Sequence, residues 1–476
     1  MKPFEDDEED YFEDEEFLSL LKEYENAVQS GQPVFMDADD MADIADYYQE
    51  NGQYKEAQGV IDRLLEIAPE SPIALIYKTR DALSYGETDK AQGYLDKLID
   101  KDDLQYVYCQ AEVYIARDLI ETADNYLRDH FANVMPDEYE AFVLDVAELY
   151  SNYGLDDMAM QWMMRAPQQN TDDFKEVMAR TLSGLGKYED SERIFNELID
   201  KQPFQKRYWN GMASVQFLNE DYQAAVTSSE YALAIDPADA EGLVTKANGL
   251  YRLGNYEEAL EYYRRYVKQV PDDEYGYMHQ GSCLINLGNY EEAIEQLKLA
   301  EQKADPNSPD LPDIYQELGF AYSEQKMPET ALYYIDKTDD LDCDHTDMLV
   351  IRGHILLSNG RNEEAQKMFG KAIKRSDNSP HTLMRIIVSF LDNKYVDAAY
   401  NMFEEYFKMV QNESKEGYAY MALCCWELKR TDEFMYYLKT ACEKNPSEAQ
   451  QILFNLFPTG MKSADYYQYM TEQLKK

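Results

Sequence analysis

The chain has 476 residues, of which 93 are Asp or Glu and 45 are Lys or Arg, giving a formal net charge of −48. A balance this acidic repels phosphates, which excludes a general nucleic-acid surface and favours basic partners if the charge is used in binding. With 45% hydrophobic residues, 41 Tyr and 18 Phe, the composition excludes a disordered chain and supplies ample core.

Residues 1–16 hold ten carboxylates against one Lys. Such a block is expected to stay disordered as a tail, and it has no apolar run for a secretory signal. Residues 17–30 have helical spacing and stop at Gly31, so 17–39 is expected to be a capping helix and loop, with Asp39 or Asp40 capping the next helix.

From about Asp40 one unit recurs, seen best over 241–280. An apolar run from Leu243 to Leu253 ends at Gly254-Asn255, and a second starts at Tyr256 and ends before Pro271. Both have the three, four and seven spacing of an amphipathic helix, and the Gly-Asn pair makes the turn. Small residues at Ala247 and Ala259 lie where helices approach closely; Leu243, Leu250, Tyr263 and Tyr266 fill the gaps. Sliding by about 34 residues finds the unit again, as Trp209, Ala213, Tyr222, Ala225, Ala232 and Pro237, and as Tyr277, Gly281, Gly288, Tyr290 and Ala293. Earlier copies run through Ala45 and Ala57, through Gly86 and Ala91, through Ala111 and Ala123 with an Arg117-Asp118 turn, through Ala147 and Gly154, and through Gly186 and Phe195. Lys303 to Pro312 carries three prolines and slips the phase, marking a loop between two stretches of repeats, 40–305 and 306–446. The later copies centre on Ala331, Ala365, Ala398 and Ala422, and residues 447–476 are expected to form C-terminal capping helices.

The unit resembles the tetratricopeptide repeat, most plainly in Tyr315-x2-Leu318-Gly319-x2-Tyr322 followed by Ala331. The resemblance implies an all-α, right-handed α-solenoid of about twelve helix hairpins. It also implies that the first helix of each hairpin lines a concave groove at four slots. In the regular repeats these slots hold Arg207, Asn210, Ser214 and Phe217; Glu241, Val244, Asn248 and Tyr251; and Tyr275, Met278, Ser282 and Ile285. Of these, Arg207, Asn210, Phe217, Asn248, Tyr251, Met278 and Ser282 are the expected partner-binding residues, with amides for a peptide backbone and apolar anchors beside them. Some family members clamp a chaperone's terminal carboxylate with Lys, Arg and Asn; here the Lys and Arg do not line up around Asn248. Leu383, Ile387, Phe390, Leu423 and Trp426 form an apolar stripe read as covered by the terminal helices.

Catalysis and cofactors find no support in the pattern. Five scattered His include a Cys343-Asp344-His345 group with no zinc spacing, and Gly184-Leu185-Gly186-Lys187 lacks the spacer and hydroxyl of a phosphate loop. Asn412-Glu413-Ser414 is a glycosylation sequon by pattern only. No nucleophile–base pair is evident, so no enzyme and no cofactor or metal is expected. Six cysteines without framework spacing read as reduced, and no run is long enough for a membrane span, so a cytoplasmic location is expected. The expected function is a non-enzymatic protein-interaction scaffold that holds a peptide or partner helix in the groove, with no direct nucleic-acid or membrane contact. The alternative is a regulator whose acidic tail, 5–16, mimics nucleic acid on a basic partner.

Overall fold

The computed structural model describes residues 12, 14–32, 34, 36–50, 53–136, 138–166, 170–410, 414–458 and 460–474. Most of the acidic tail, with Gly52, Pro167, Asn412 and Glu413, lies outside the described residues. The described residues contain helices and no strand, and none of these helices is long and apolar enough to cross a membrane. The chain is an α-solenoid that divides into two units.

The first unit takes in the chain to Asn289 and Lys298–Ser308. It opens with α1 (Glu15–Ser30), whose Phe17, Leu21 and Tyr24 share a core with the first hairpin. Seven hairpins follow: α2 and α3 (Ala38–Glu50, Tyr54–Ile67), α4 and α5 (Pro72–Ser84, Thr88–Leu95), α6 and α7 (Leu104–Ala116, Ile120–Phe131), and α8 and α9 (Tyr139–Asn152, Asp156–Met163). The remaining three are α10 and α11 (Asp172–Gly184, Tyr188–Lys201), α12 and α13 (Lys206–Leu218, Tyr222–Ile235), and α14 and α15 (Ala240–Arg252, Tyr256–Gln269). Helix α16 (Glu274–Asn286) packs on α15. Helix α17 (Tyr290–Lys303) is divided, with 290–297 assigned to the second unit.

The second unit has four hairpins: α18 and α19 (Leu311–Glu324, Pro328–Asp336), α20 and α21 (His345–Ser358, Asn362–Arg375), α22 and α23 (Pro380–Asp392, Val396–Met409), and α24 and α25 (Tyr418–Glu427, Thr431–Lys444). Helices α26 (Pro446–Leu453) and α27 (Ser463–Gln473) pack on the last hairpin, burying Ala449, Leu453, Tyr466 and Met470 in its core.

Two devices set the hairpin geometry. The first is a left-handed residue at the described turns between paired helices. Gly186 takes φ 70° there at no steric cost, whereas Asp118, Glu220, Lys326, Lys394 and Lys429 adopt φ near 60° despite their side chains. The second is side-chain size. Five residues after the turn, the second helix buries Ala91, Ala123, Ala159, Ala225, Ala259, Ala331, Ala365 and Ala399 completely. At this slot Ser191 replaces Ala and its hydroxyl donates to the Ala179 carbonyl at 2.6 Å. Seven residues before the turn, the first helix is small in most hairpins, as at Ala147, Ala213 and Gly353, where an added Cβ would run into the Phe369 ring. Where these slots hold Ala or Gly, a bulky side chain would force the paired helices apart.

Part of the negative charge is structural. Asp103, Asp239, Asp273 and Asp344 each cap a helix by accepting backbone N–H groups. At α2 the cap is Asp37, which accepts the Asp40 N–H at 2.9 Å, because the helix starts at Ala38; the expected Asp39 and Asp40 sit inside its first turn.

Candidate functional site

In the first unit, first helices touch in sequence: α4 on α6, α6 on α8, α8 on α10, α10 on α12 and α12 on α14. Second helices show no comparable contacts with one another among the described residues. First helices therefore pack closer together, and their free side is the inside of the curve. Counting back from the left-handed turn residue, positions 3, 6, 10 and 13 residues earlier face that side, as i, i+3 and i+4 neighbours must.

The expected partner-binding residues all lie on this face, but several are committed to the fold. Arg207 reaches Asp173 at 3.2 Å and the buried Glu176 at 3.3 Å. Asn210 is only 2% exposed, and its Nδ2 donates to Asp239 at 2.8 Å. Met278 and Ser282 are buried, with the Ser282 hydroxyl donating to the Met278 carbonyl at 3.3 Å. Phe217 is half-buried, edge-on to Tyr222 at 5.3 Å. Asn248 is half-buried, and its Oδ1 accepts from the Tyr263 hydroxyl at 2.5 Å and the Tyr275 hydroxyl at 3.1 Å. Tyr251 is half-buried, and its hydroxyl accepts from Asn286 at 3.3 Å. Between these rings sits His279, stacked on Tyr263 at 5.3 Å and 4.2 Å from the Tyr275 centroid; burial pushes its pKa down to about 4.

The same count identifies a charged stretch of the face outside the expected set. Six residues before successive turns stand Arg80, Glu112, Glu148 and Arg180. Their intervals are 32, 36 and 32 residues, so a fixed period of 34 passes over them, whereas alignment on the turn residue recovers them. Arg180 binds the buried Glu176 carboxylate at 3.0 Å, and Arg80 donates to Gln105 at 2.8 Å. Glu112, Asp145 and Glu148 have no ion pair among the described residues. Burial pushes all three carboxyls up, and Glu148, with Asp145 adding repulsion, reaches about 7. Along the same inner helices, Ser183 Oγ, Asn210 Oδ1 and His279 Nδ1 are buried without a hydrogen-bond partner among the described residues.

In the second unit the turn of α22 is made by Lys394, so its inner slots hold His381, Met384, Val388 and Leu391. Leu383, Ile387 and Phe390 fall one position away from the slots expected for them. Ile387 takes the small-residue slot and is fully buried in a core that also holds Leu453, Tyr466 and Met470. Leu423 is half-buried, and Trp426 stays 39% exposed against Phe434. Cys343 Sγ lies 3.9 Å from His345 Nδ1, and no group of three potential metal ligands converges among the described residues.

The tetratricopeptide repeat model matches residues 177–240, 244–309 and 346–379, stretches that fall in both units and on hairpins of the geometry just described. These stretches are tetratricopeptide repeats. No curated protein sequence matches it. Similar solved structures include a tetratricopeptide repeat protein from Parabacteroides merdae, 14% identical over 52% of this chain and 96% of that one, with a TM-score of 0.39. They also include YrrB, described as a TPR protein with an unusual peptide-binding site, 24% identical over 39% of this chain and 95% of that one, TM-score 0.34. MamA from Desulfovibrio magneticus is 23% identical over 35% of this chain and 95% of its own, TM-score 0.33. In tetratricopeptide terms Gly184-Leu185-Gly186-Lys187 is the turn between α10 and α11.

Proposed function

We propose that this protein is a protein-interaction scaffold whose receptor surface is the inner face of the first unit, where an extended peptide or partner helix lies across α6 to α16. The tetratricopeptide repeats support the scaffold role in general. The observation that carries the placement is a set of buried polar atoms without a hydrogen-bond partner among the described residues, Ser183 Oγ on α10, Asn210 Oδ1 on α12 and His279 Nδ1 on α16. Buried polar groups are rarely left unsatisfied, and a peptide supplies donors and acceptors at intervals along such a face. Half-buried Phe217 and Tyr251 offer apolar contact beside them. The negative charge would steer basic partners towards the face.

The test is selection of a random displayed peptide library against the whole chain and against Asn248→Ala/Tyr251→Ala. A common peptide motif that the double variant no longer selects, with its helical circular dichroism unchanged, supports the proposal. Selection without any motif, or the same motif from both proteins, refutes it.

A further inference from the structure

The edge of the first unit where one hairpin passes to the next carries a row of exposed apolar side chains. Each hairpin runs out along its first helix and back along its second, so these junctions share one edge. Ile67 closes α3, Ile99 follows α5, Met135 follows α7, Met164 follows α9 and Phe204 follows α11, each within four residues of the helix end. Their exposures are 57%, 85%, 61%, 64% and 82%. Single exposed apolar residues are ordinary; one at each of five successive junctions is a pattern.

Contacts across the edge place the junctions side by side. Leu65 and Leu98, neighbours of Ile67 and Ile99, pack into one core, and Val134 and Ala166, neighbours of Met135 and Met164, pack into another. Between these pairs, Tyr108 near the start of α6 meets Phe142 near the start of α8, with ring centroids 5.5 Å apart. Thr171, which caps α10, donates to Glu140 in the first turn of α8, and Asp172 accepts from Lys201 and, at 2.8 Å, from Gln202 at the end of α11. The row has a definite end. The next junction is Asp236-Pro237-Ala238, and after α15 Val270 is buried. Beside Phe204 the patch broadens, because Trp209 donates its Nε1–H to the Pro203 carbonyl at 2.8 Å and stacks at 4.4 Å on Tyr231, which is half exposed.

Spacing and charge indicate the occupant. Packed helices stand about 8–10 Å apart, so five junctions span roughly 40 Å. An α-helix of about 27 residues has that length, and it returns a side chain to one line every seven residues, about 10.5 Å. Alternate residues of an extended strand recur at about 6.6 Å and fall out of step. Around the row Glu66, Glu70, Asp100, Asp102, Glu138 and Asp200 are exposed. The cations there are engaged: Lys97, Lys101 and Arg165 lie over the rings of Tyr94, Tyr106 and Trp162, and Lys201 pairs with Asp172. An apolar line with an acidic rim complements an apolar stripe with a basic rim. It opposes a second copy of a chain of net charge −48, and likewise an anionic lipid surface.

We propose that this edge is a second interaction surface, receiving a partner's amphipathic helix whose apolar stripe repeats every seven residues between flanking Lys and Arg. It lies at the helix ends and not on their inner side, so it stands or falls independently of the groove.

The experiment selects a displayed library of helix-forming peptides of about 28 residues against the whole chain, then measures the selected peptides by fluorescence anisotropy. Peptides with a seven-residue apolar repeat and basic flanks are expected. Ile99→Ser/Met135→Ser/Phe204→Ser should weaken them about tenfold, with circular dichroism unchanged because all three side chains are exposed. Glu66→Lys/Glu70→Lys, which keeps the apolar row, should weaken them about threefold, and Asn248→Ala/Tyr251→Ala should leave them within about twofold. Failure to select any peptide, selected peptides without the repeat or the basic flanks, or binding that neither edge variant weakens overturns the proposal. Parent dimers in sedimentation velocity that the triple variant abolishes assign the row to a second copy, and flotation with phosphatidylcholine vesicles that the triple variant abolishes assigns it to lipid; either result also overturns it.

Discussion

Replacing Glu148 by Gln should stabilise the protein, and the gain should depend on pH. The carboxyl is half-buried on α8, and burial together with the neighbouring Asp145 and Glu176 charges raises its pKa from 4.5 to about 7, with Arg180 opposing. The sign follows from proton counting. Below the ordinary pKa of 4.5 the group is protonated in folded and unfolded chains alike and carries no penalty. Between there and about 7 the unfolded chain releases its proton while the folded chain keeps it, so stability falls as pH rises through that window. At about 1.4 kcal/mol per pKa unit the ceiling is roughly 3 kcal/mol, and partial contact with water reduces it to about 1–2 kcal/mol. Gln has nearly the same shape and no charge to desolvate. For a cooperative block of about 200 residues this corresponds to a rise in Tm of about 2–6 °C near pH 8 and little near pH 5. Thermal denaturation followed by circular dichroism across that range, on parent and Glu148→Gln, makes the measurement. An identical difference at both ends of the range, or a less stable variant at the alkaline end, would refute the argument, since it would mean that the carboxylate is well solvated or better paired than its surroundings indicate.

Three further outcomes follow from the packing. His279→Phe keeps the stacking on Tyr263 and removes a base whose folded pKa burial lowers from 6.5 to about 4; parent stability should drop as pH falls through that window, the variant should drop less, and parallel acid limbs in a pH–Tm series would contradict this. At the turns, Glu220→Gly and Lys394→Gly should each stabilise by up to about 1 kcal/mol, because φ values of 61° and 66° strain a residue with a Cβ; urea midpoints that fall would count against the turn argument. Gly353→Ala should cost about 1–3 kcal/mol by driving its Cβ into Phe369, while Gly93→Ala on α5, with nothing within 4 Å, should gain about 0.5–1 kcal/mol; equal effects in urea melts would mean that the close approach is not limiting.

The repeat could be read from the sequence because it is written in side-chain size and spacing, and both act locally. An apolar run of helical period, a turn, and an Ala five residues later specify one hairpin wherever they occur, so Ala91, Ala225 and Ala365 play the same part in distant hairpins. Which slots of a first helix share a side was likewise legible, since helix periodicity fixes it. Their availability was not. Asn210, Met278 and Ser282 are polar or apolar by type, but their burial depends on the helix packed next to them. Ile387 falls in the small slot because Lys394, with no glycine to mark it, makes the left-handed turn.

The raised carboxyl of Glu148 belongs to tertiary structure for the same reason. Sequence determined that this carboxylate stands on a first helix. Only the packing of α8 between α6 and α10 buries it and sets Glu176 and Arg180 near it, beside Asp145 of its own helix. Charges interact through space and desolvation is set by neighbours, so residues distant in the chain act on one group when the hairpins stack.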